Sequence, residues 1–152
     1  MYIMSRSSYI TFDISRMLRE NATDLIIPND HFNRAAITSF SISDNMDLMR
    51  IEIGDGCFGK TRVFELDGLS ELESVVIGME SFRISNSKRS DGSYRIVNCS
   101  KLKSIRIGDY SFADYHSFEL SNLPSLQSID IGGWCFRWAP SFSLTGLIDG
   151  LV

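Results

Sequence analysis

The segment Ile51-Glu52-Ile53-Gly54-Asp55-Gly56-Cys57-Phe58 contains the pattern that decides the fold. An apolar, a variable and an apolar residue form a triplet, and a phenylalanine follows five positions after its last member. The pattern occurs five times, running from Leu25 to Phe32, Ile51 to Phe58, Val75 to Phe82, Ile105 to Phe112 and Ile129 to Phe136. The copies start 26, 24, 30 and 24 residues apart. Such a period predicts one supersecondary unit stacked on itself, which is a solenoid.

A second strand signal follows each phenylalanine. The five segments are Phe40-Ser41-Ile42, Phe64-Glu65-Leu66, Tyr94-Arg95-Ile96, Phe118-Glu119-Leu120 and Phe142-Ser143-Leu144. Apolar residues on either side of a variable one have the period of two that is typical of a half-buried strand. We therefore expect a mainly β fold with little helix, in which each coil of ~24 residues contributes two short parallel strands.

Residues that tolerate a positive φ recur at one position of every coil. Two residues after each second strand signal stand Asp44, Gly68, Asn98, Asn122 and Gly146. Glycine, asparagine and aspartate are the residues most often found in the left-handed region, so this position predicts a left-handed turn residue. The first strand of each coil ends at a second corner, which carries Pro28, Gly54, Gly78, Gly108 and Gly132.

The repeat divides the chain into two parts. Residues 1–24 do not fit the pattern, and we interpret them as an N-terminal cap, with a strand around Ile10, Phe12 and Ile14 and a short helical turn over 15–20. A solenoid needs such an atypical end unit to cover its core. Residues 25–152 form about four and a half coils with no cap at the C-terminal end. Either the natural chain continues or a partner covers that end.

A leucine stands three residues before the first strand signal in four coils, as in Leu48-x-x-Ile51, Leu72-x-x-Val75, Leu102-x-x-Ile105 and Leu126-x-x-Ile129. With these residues the sequence resembles the leucine-rich repeat family. The Leu-x-Ser-Ile-x-Ile-Gly form, the following phenylalanine and Ile27-Pro28 are most similar to the BspA-like repeats of bacterial and protist surface antigens. The resemblance covers residues 25–152 and implies a right-handed solenoid whose first strands line the concave side. It departs from the family in lacking L-x-x-N-x-L, so we expect no asparagine ladder.

Composition and charge disfavour several classes of partner. The formal net charge is −4, whereas nucleic-acid binding normally needs a clustered basic surplus. No apolar run approaches the ~18 residues that span a bilayer, and the start of the chain does not read as a signal peptide. We therefore expect a cytoplasmic protein that binds neither nucleic acid nor membrane. The spacing of Cys57, Cys99 and Cys135 favours buried, reduced thiols.

The motifs that could carry chemistry are better explained by structure. Residues 54–59 match G-x-G-x-x-G, but a strand follows where the dinucleotide motif needs a helix. His31 occupies the coil position held elsewhere by cysteine or serine, and His116 has no partner pattern nearby. Ligand-type residues are scattered, which does not fit a metal site. The sequence therefore predicts no enzyme, no cofactor and no metal.

The variable strand positions are the strongest candidates for binding. On the concave strand the outward column is Ile26, Glu52, Val76, Arg106 and Asp130, and Asp55, Met79, Asp109, Tyr110 and Trp134 follow at or near the next corner. The third coil has six extra residues within segment 83–93, which predicts a protruding polar loop that carries Arg83, Lys88 and Arg89. Trp, Tyr and Arg are frequent interface anchors. We expect a non-catalytic scaffold that holds another protein through this strand face and loop.

Two other surfaces were considered beside the concave strand face. The column Ser41, Glu65, Arg95, Glu119 and Ser143 on the second face reads as a solvated ladder of compensating charges. The open C-terminal coil, with Leu144 and Leu147, indicates instead a structural unit that stacks on another chain. The sequence leaves both kinds of protein contact open.

Overall fold

The computed structural model describes residues 2–3, 18, 21–84 and 91–147. Within those residues the chain consists of strands and turns, without helix. The strands are β1 (Tyr2–Ile3), β2 (Asp24–Ile27), β3 (Ser39–Ser43), β4 (Arg50–Ile53), β5 (Val63–Asp67), β6 (Ser74–Ile77), β7 (Gly92–Val97), β8 (Ser104–Ile107), β9 (Tyr115–Leu123), β10 (Ser128–Ile131) and β11 (Ser141–Leu147).

The strands form two parallel sheets. Sheet A has the order β1-β2-β4-β6-β8-β10, and sheet B has the order β11-β9-β7-β5-β3. Equivalent residues pair from coil to coil, for example Ile51 with Val75 in sheet A and Phe64 with Tyr94 in sheet B. The third coil keeps this register despite its six extra residues. The chain is therefore a β-solenoid of about five turns, as the repeat predicts.

Two stacked aromatic columns run through the interior beside the buried isoleucines and leucines of the strands. The phenylalanine column contains Phe32, Phe58, Phe82, Phe112 and Phe136, with neighbouring centroids 4.7 to 5.3 Å apart and interplanar angles of 4° to 18°. The strand-aromatic column contains Phe40, Phe64, Tyr94, Phe118 and Phe142. Rings of one column meet rings of the other edge-on, as Phe40 meets Phe58 at 84°. The aligned phenylalanines confirm the register that the sequence indicates.

The corner after sheet B has the predicted left-handed residue in every coil. The φ angles are 52° at Asp44, 70° at Gly68, 56° at Asn98, 53° at Asn122 and 62° at Gly146. Amide side chains at this corner link the coils: Asn98 Nδ2 donates to Asp67 Oδ1 and Asn122 Nδ2 donates to Asn98 Oδ1, each at 2.9 Å.

The corner after sheet A uses glycine for a different reason. A Cβ added at Gly108 would lie 2.7 Å from the backbone carbon of Gly78 in the preceding coil. Real Cβ contacts of that length are essentially absent, so this position needs glycine because neighbouring backbones approach closely. The leucines of the repeat, Leu48, Leu72, Leu102 and Leu126, are fully buried beneath the opposite corner.

The N-terminal strand extends sheet A. Tyr2 and Ile3 pair in parallel with Leu25 and Ile26. The predicted strand around residues 10–14 and the helical turn at 15–20 lie outside the described residues, apart from Leu18, which packs against the core. The division into a cap at 1–24 and a solenoid at 25–152 stays a prediction.

Candidate functional site

The corner after sheet A carries a row of residues that share one backbone conformation. Its members Asp30, Gly56, Glu80, Tyr110 and Trp134 all have φ between 55° and 65°. The amides of the first four each donate to a carbonyl one coil further on; for example, Glu80 N donates to Asp109 O at 2.9 Å and Tyr110 N to Gly133 O at 2.8 Å. A non-glycine residue rarely adopts this conformation, so the hydrogen bonds between coils hold it there.

Three candidate residues meet at this corner. The Tyr110 and Trp134 rings are parallel within 5°, with centroids 6.4 Å apart, and the Arg83 guanidinium lies 5.5 Å from the Tyr110 centroid. Arg83 also pairs with Glu80 at 3.3 Å. The exposed fraction is 37% for Tyr110 and 61% for Trp134. We call Arg83, Tyr110 and Trp134 the aromatic ridge; it is an exposed surface of two aromatic rings and one guanidinium group.

The acidic candidates at the same corner support the backbone. Asn29 Oδ1 accepts from Asp55 N at 2.8 Å, Asp55 Oδ1 from Met79 N at 2.7 Å, and Asp109 Oδ1 from Gly133 N at 2.8 Å. Met79 interrupts this ladder, and its side chain is exposed. The sequence was expected to form no asparagine ladder, and this row of Asn and Asp side chains was not predicted. The signal was present, because Asn29, Asp55 and Asp109 share one coil position.

The outward column of sheet A adjoins the ridge. Glu52, Val76, Arg106 and Asp130 lie on successive strands in register. Arg106 Nε is 3.6 Å from Asp130 Oδ2, and both side chains are largely exposed. A pair this exposed contributes only about 0 to 1 kcal/mol, so it is available for a partner. Structure thus places Val76, Arg106 and Asp130 on one accessible face.

Sheet B has the compensated charges that the sequence predicts. Arg95 Nε donates to Glu119 Oε2 at 3.1 Å, and Arg95 Nη1 lies 3.8 Å from Glu65 Oε1 and 3.7 Å from Asp67 Oδ2. These side chains are about two-fifths exposed or less. The ladder neutralises itself across three strands, which makes this face a poorer binding candidate than sheet A.

The described ends of the predicted 83–93 loop do not protrude. Ile84 is buried, and Gly92 and Ser93 already belong to β7. Arg62 forms an ion pair with Asp91 at 3.0 Å. Lys88 and Arg89 lie outside the described residues, so Arg83 is the loop cation that the structure places at the ridge.

The last coil exposes residues that are buried elsewhere. Ile131, Phe142 and Leu144 have exposed fractions of 38%, 56% and 43%, whereas their counterparts Ile107, Phe118 and Leu120 have 2%, 3% and 0%. Trp138 beside them is 68% exposed, with the Arg137 guanidinium 5.4 Å from its ring. We call Ile131, Trp138, Phe142 and Leu144 the C-terminal face.

One coil position is occupied by His31, Cys57, Ser81, Ser111 and Cys135, and its serine and cysteine side chains contact backbone carbonyls. Ser81 Oγ donates to Gly54 O at 2.7 Å, Ser111 Oγ to Gly78 O at 2.6 Å, and the Cys57 and Cys135 thiols lie 3.1 and 3.2 Å from the equivalent carbonyls. Burial raises the pKa of Cys57, and raises the pKa of Cys135 to about 11. Since the thiolate is the nucleophile, these thiols are poorly suited to covalent catalysis near neutral pH.

The other chemical motifs are structural too. The glycine-rich segment 54–59 forms a corner that leads into β5, as expected. His31 Nδ1 contacts Asn29 O at 2.7 Å within its own turn.

No group of three or more His, Cys, Asp or Glu residues that could hold a metal occurs in the described ranges. Those same ranges contain no helix long and apolar enough to cross a membrane. The three cysteines are unpaired.

Comparison with known proteins found no matching protein-family model, no matching curated protein and no matching solved structure.

Proposed function

We propose that this protein is a non-catalytic scaffold of the leucine-rich repeat class, with BspA-like coils, that binds another protein through the outward face of sheet A and the adjoining aromatic ridge. The observation that carries the proposal is the parallel stack of Tyr110 and Trp134 with Arg83 over the tyrosine ring. Aromatic residues and arginine dominate the binding energy of protein interfaces.

The rigidity of the ridge supports this function. The Tyr110 amide donates to Gly133 O of the next coil, and the Tyr110 ring contacts both Trp134 and Arg83, so this side chain loses little conformational freedom on binding. Arg106 and Asp130 on the neighbouring strand face form the polar edge that commonly surrounds an apolar centre. The partner that fits is therefore a protein with an apolar recess bordered by charge.

Site-directed photo-crosslinking tests this proposal. The full chain with benzoylphenylalanine at Tyr110 is compared with a control carrying it at His116, an exposed position on β9. We expect one protein to be captured from Tyr110 and not from His116. The captured partner is then purified for measurement of its dissociation constant.

Two sets of variants then locate the contact. We expect Val76→Ala, Arg106→Ala and Asp130→Ala together, or Tyr110→Ala with Trp134→Ala, to raise the dissociation constant at least ~30-fold. Glu65→Ala with Glu119→Ala on sheet B is the matched control and should change it less than ~3-fold. Unchanged binding by both sheet A sets would contradict the proposal.

A second candidate function is supported by the C-terminal face. Ile131, Phe142 and Leu144 end the apolar columns of the core with about two-fifths or more of each side chain exposed. Apolar patches of this kind mark interaction surfaces. The chain would then act as a structural unit that associates through its last coil.

A further inference from the structure

The third coil departs twice from the side-chain chemistry of its neighbours. On the outward face of sheet A, Val76 lies in register between two charged residues, Glu52 and Arg106. At the corner that follows, Met79 takes the coil position that Asp55 holds in the preceding coil. We call Val76 and Met79 the coil-3 band. It lies within the solenoid, with described coils on both sides.

Stability does not explain a methionine at this corner. In the coil before, Asp55 Oδ1 accepts from Met79 N at 2.7 Å, and in the coil after, Asp109 Oδ1 accepts from Gly133 N at 2.8 Å. The methionine thioether is only a weak acceptor, so Met79 does not continue this ladder, and its side chain is 48% exposed. A residue that gives up a stabilising contact and exposes apolar surface is expected at a functional site. The coil-3 band is therefore a candidate contact surface.

The arginines next to the coil-3 band are already paired. Arg106 Nε is 3.6 Å from Asp130 Oδ2, and Arg83 Nη1 is 3.3 Å from Glu80 Oε2. Each pair adds no net charge to this surface. The sign of the charge around the band therefore depends on the other carboxylates.

Three carboxylates flank the coil-3 band without a cation. Glu52, Asp55 and Asp109 are exposed, and none of the three forms an ion pair within the described part of the chain. Hydrogen bonds to the backbone of the next coil hold Asp55 and Asp109 in place. Neighbouring strands lie ~4.8 Å apart, so these two carboxylates are roughly 10 Å apart with Met79 between them. The band is thus an apolar surface bordered by fixed negative charge.

We propose that the coil-3 band binds a segment of the partner protein in which an apolar side chain stands between lysine or arginine residues. This deepens the proposed scaffold function, on which it rests, by naming the chemistry of the partner. The apolar side chain packs on Val76 and on Met79, whose flexible thioether adapts to its shape. The basic side chains reach Asp55 and Asp109, and this complementary charge fixes the register of the segment and speeds its association.

Selection from a library of random displayed peptides tests this proposal with the complete chain. We expect the enriched peptides to carry a lysine or arginine on both sides of an apolar residue. Added salt should weaken their binding, because the carboxylates that attract them are exposed. A library that gives no binding peptide, or gives neutral or acidic ones, would overturn the proposal.

The role of charge is tested with the most enriched peptide, made synthetically. Asp55→Asn with Asp109→Asn removes two charges and keeps the acceptor for the backbone amide, as Asn29 provides it in the first coil. We expect the dissociation constant of the peptide to rise at least ~10-fold. Glu65→Gln with Glu119→Gln on sheet B makes the same change in net charge and should alter it less than ~3-fold. Equal effects of the two pairs would overturn the proposal.

The role of the apolar surface is tested with Met79→Asn. This variant places at the corner the residue that Asn29 supplies in the first coil, so the melting temperature should not fall. The dissociation constant of the peptide should rise at least ~10-fold. Met46→Asn replaces another exposed methionine, at the opposite corner, and should alter it less than ~3-fold. Unchanged binding by Met79→Asn would overturn the proposal.

These outcomes are separable from the capture at Tyr110. The peptide measurements need no natural partner, so a failure of photo-crosslinking leaves peptide binding measurable. If Tyr110 captures a protein while no basic peptide binds the complete chain, the scaffold function stands and the basic segment is overturned.

Discussion

The rings of Phe58 and Phe82 stack at 4.8 Å with an interplanar angle of 10°, and both residues have positive φ, 57° and 54°. Phe40 and Phe64 meet them edge-on at 84° and 85°. Offset-parallel and edge-on contacts are the favourable arrangements of aromatic pairs. The ring contacts within and between the two columns therefore stabilise the packing of each coil on the next.

Removing one ring of the phenylalanine column should lower the free energy of unfolding as much as the most damaging core mutations do. We expect Phe82→Ala to lower the free energy of unfolding by about 3–5 kcal/mol, because Phe82 is fully buried among rings. Tyr110→Ala is the matched control: it is aromatic with φ of 62°, but exposed, and should cost at most about 1 kcal/mol. Urea denaturation of both variants measures the difference, and equal costs would contradict the column as the source of stability.

Two buried tyrosines differ in whether their hydroxyl groups form a hydrogen bond. Tyr94 Oη has no hydrogen-bond partner, whereas Tyr115 Oη donates to Thr61 O at 2.7 Å. We expect Tyr94→Phe to raise the free energy of unfolding by about 1–3 kcal/mol, since it removes a buried unpaired polar group. Tyr115→Phe leaves the buried Thr61 carbonyl without this donor and should lower it by about 1–3 kcal/mol. Urea denaturation checks the opposite signs.

The repeat could be predicted from the sequence because its signals are residue types. Asp44, Asn98 and Gly146 tolerate positive φ, and the structure confirms that conformation at all five such positions. Buried isoleucines and phenylalanines at fixed spacing likewise predict the columns. The compensating charges around Arg95 follow from register alone, because neighbouring strands bring equivalent residues side by side.

The rest of the site could not be predicted because tertiary contacts override local preference. Phe58, Tyr110 and Trp134 have positive φ although their residue types disfavour it. The amides of Phe58 and Tyr110 donate to carbonyls of neighbouring coils, and single-residue preferences do not reveal these hydrogen bonds. The cation–π contact of Arg83 with Tyr110 joins residues 27 positions apart across the extra segment of the third coil.

Glycine in the corner after sheet A should not be replaceable. A methyl group at Gly108 would lie 2.7 Å from backbone atoms of Gly78 and Met79, so Gly108→Ala forces neighbouring coils apart. We expect a loss of about 1–3 kcal/mol, the usual cost of overpacking. Gly133→Ala is the control, because its nearest atom, Asp109 Oδ1, is 3.8 Å away. Thermal denaturation compares them, and a tolerated Gly108→Ala would contradict the close approach.

Stability should fall in alkaline solution through Cys99. Burial raises the pKa of this thiol from 9.0 to about 11. Above pH 9 the unfolded chain therefore loses this proton while the folded chain keeps it, so unfolding becomes easier as pH rises towards 11. The contribution is about 1 kcal/mol at pH 10. The loss between pH 7.5 and pH 10 should be smaller in Cys99→Ala; an identical loss would contradict the prediction.

Alanine and cysteine at Ser111 should differ in their effect on the free energy of unfolding. Its hydroxyl donates to Gly78 O at 2.6 Å and accepts from Ser81 N at 3.0 Å, within the buried corner. Ser111→Ala leaves both backbone groups unpaired, which should cost about 1–3 kcal/mol for each group.

Ser111→Cys should be tolerated better, because Cys57 and Cys135 place a thiol at the same coil position, 3.1 and 3.2 Å from the equivalent carbonyls. The thiol is a weak donor, so we expect a cost below that of alanine. Urea denaturation of the two variants decides the point. If the alanine and cysteine variants prove equally stable, the hydrogen bonds of Ser111 contribute nothing to stability and only its packing matters.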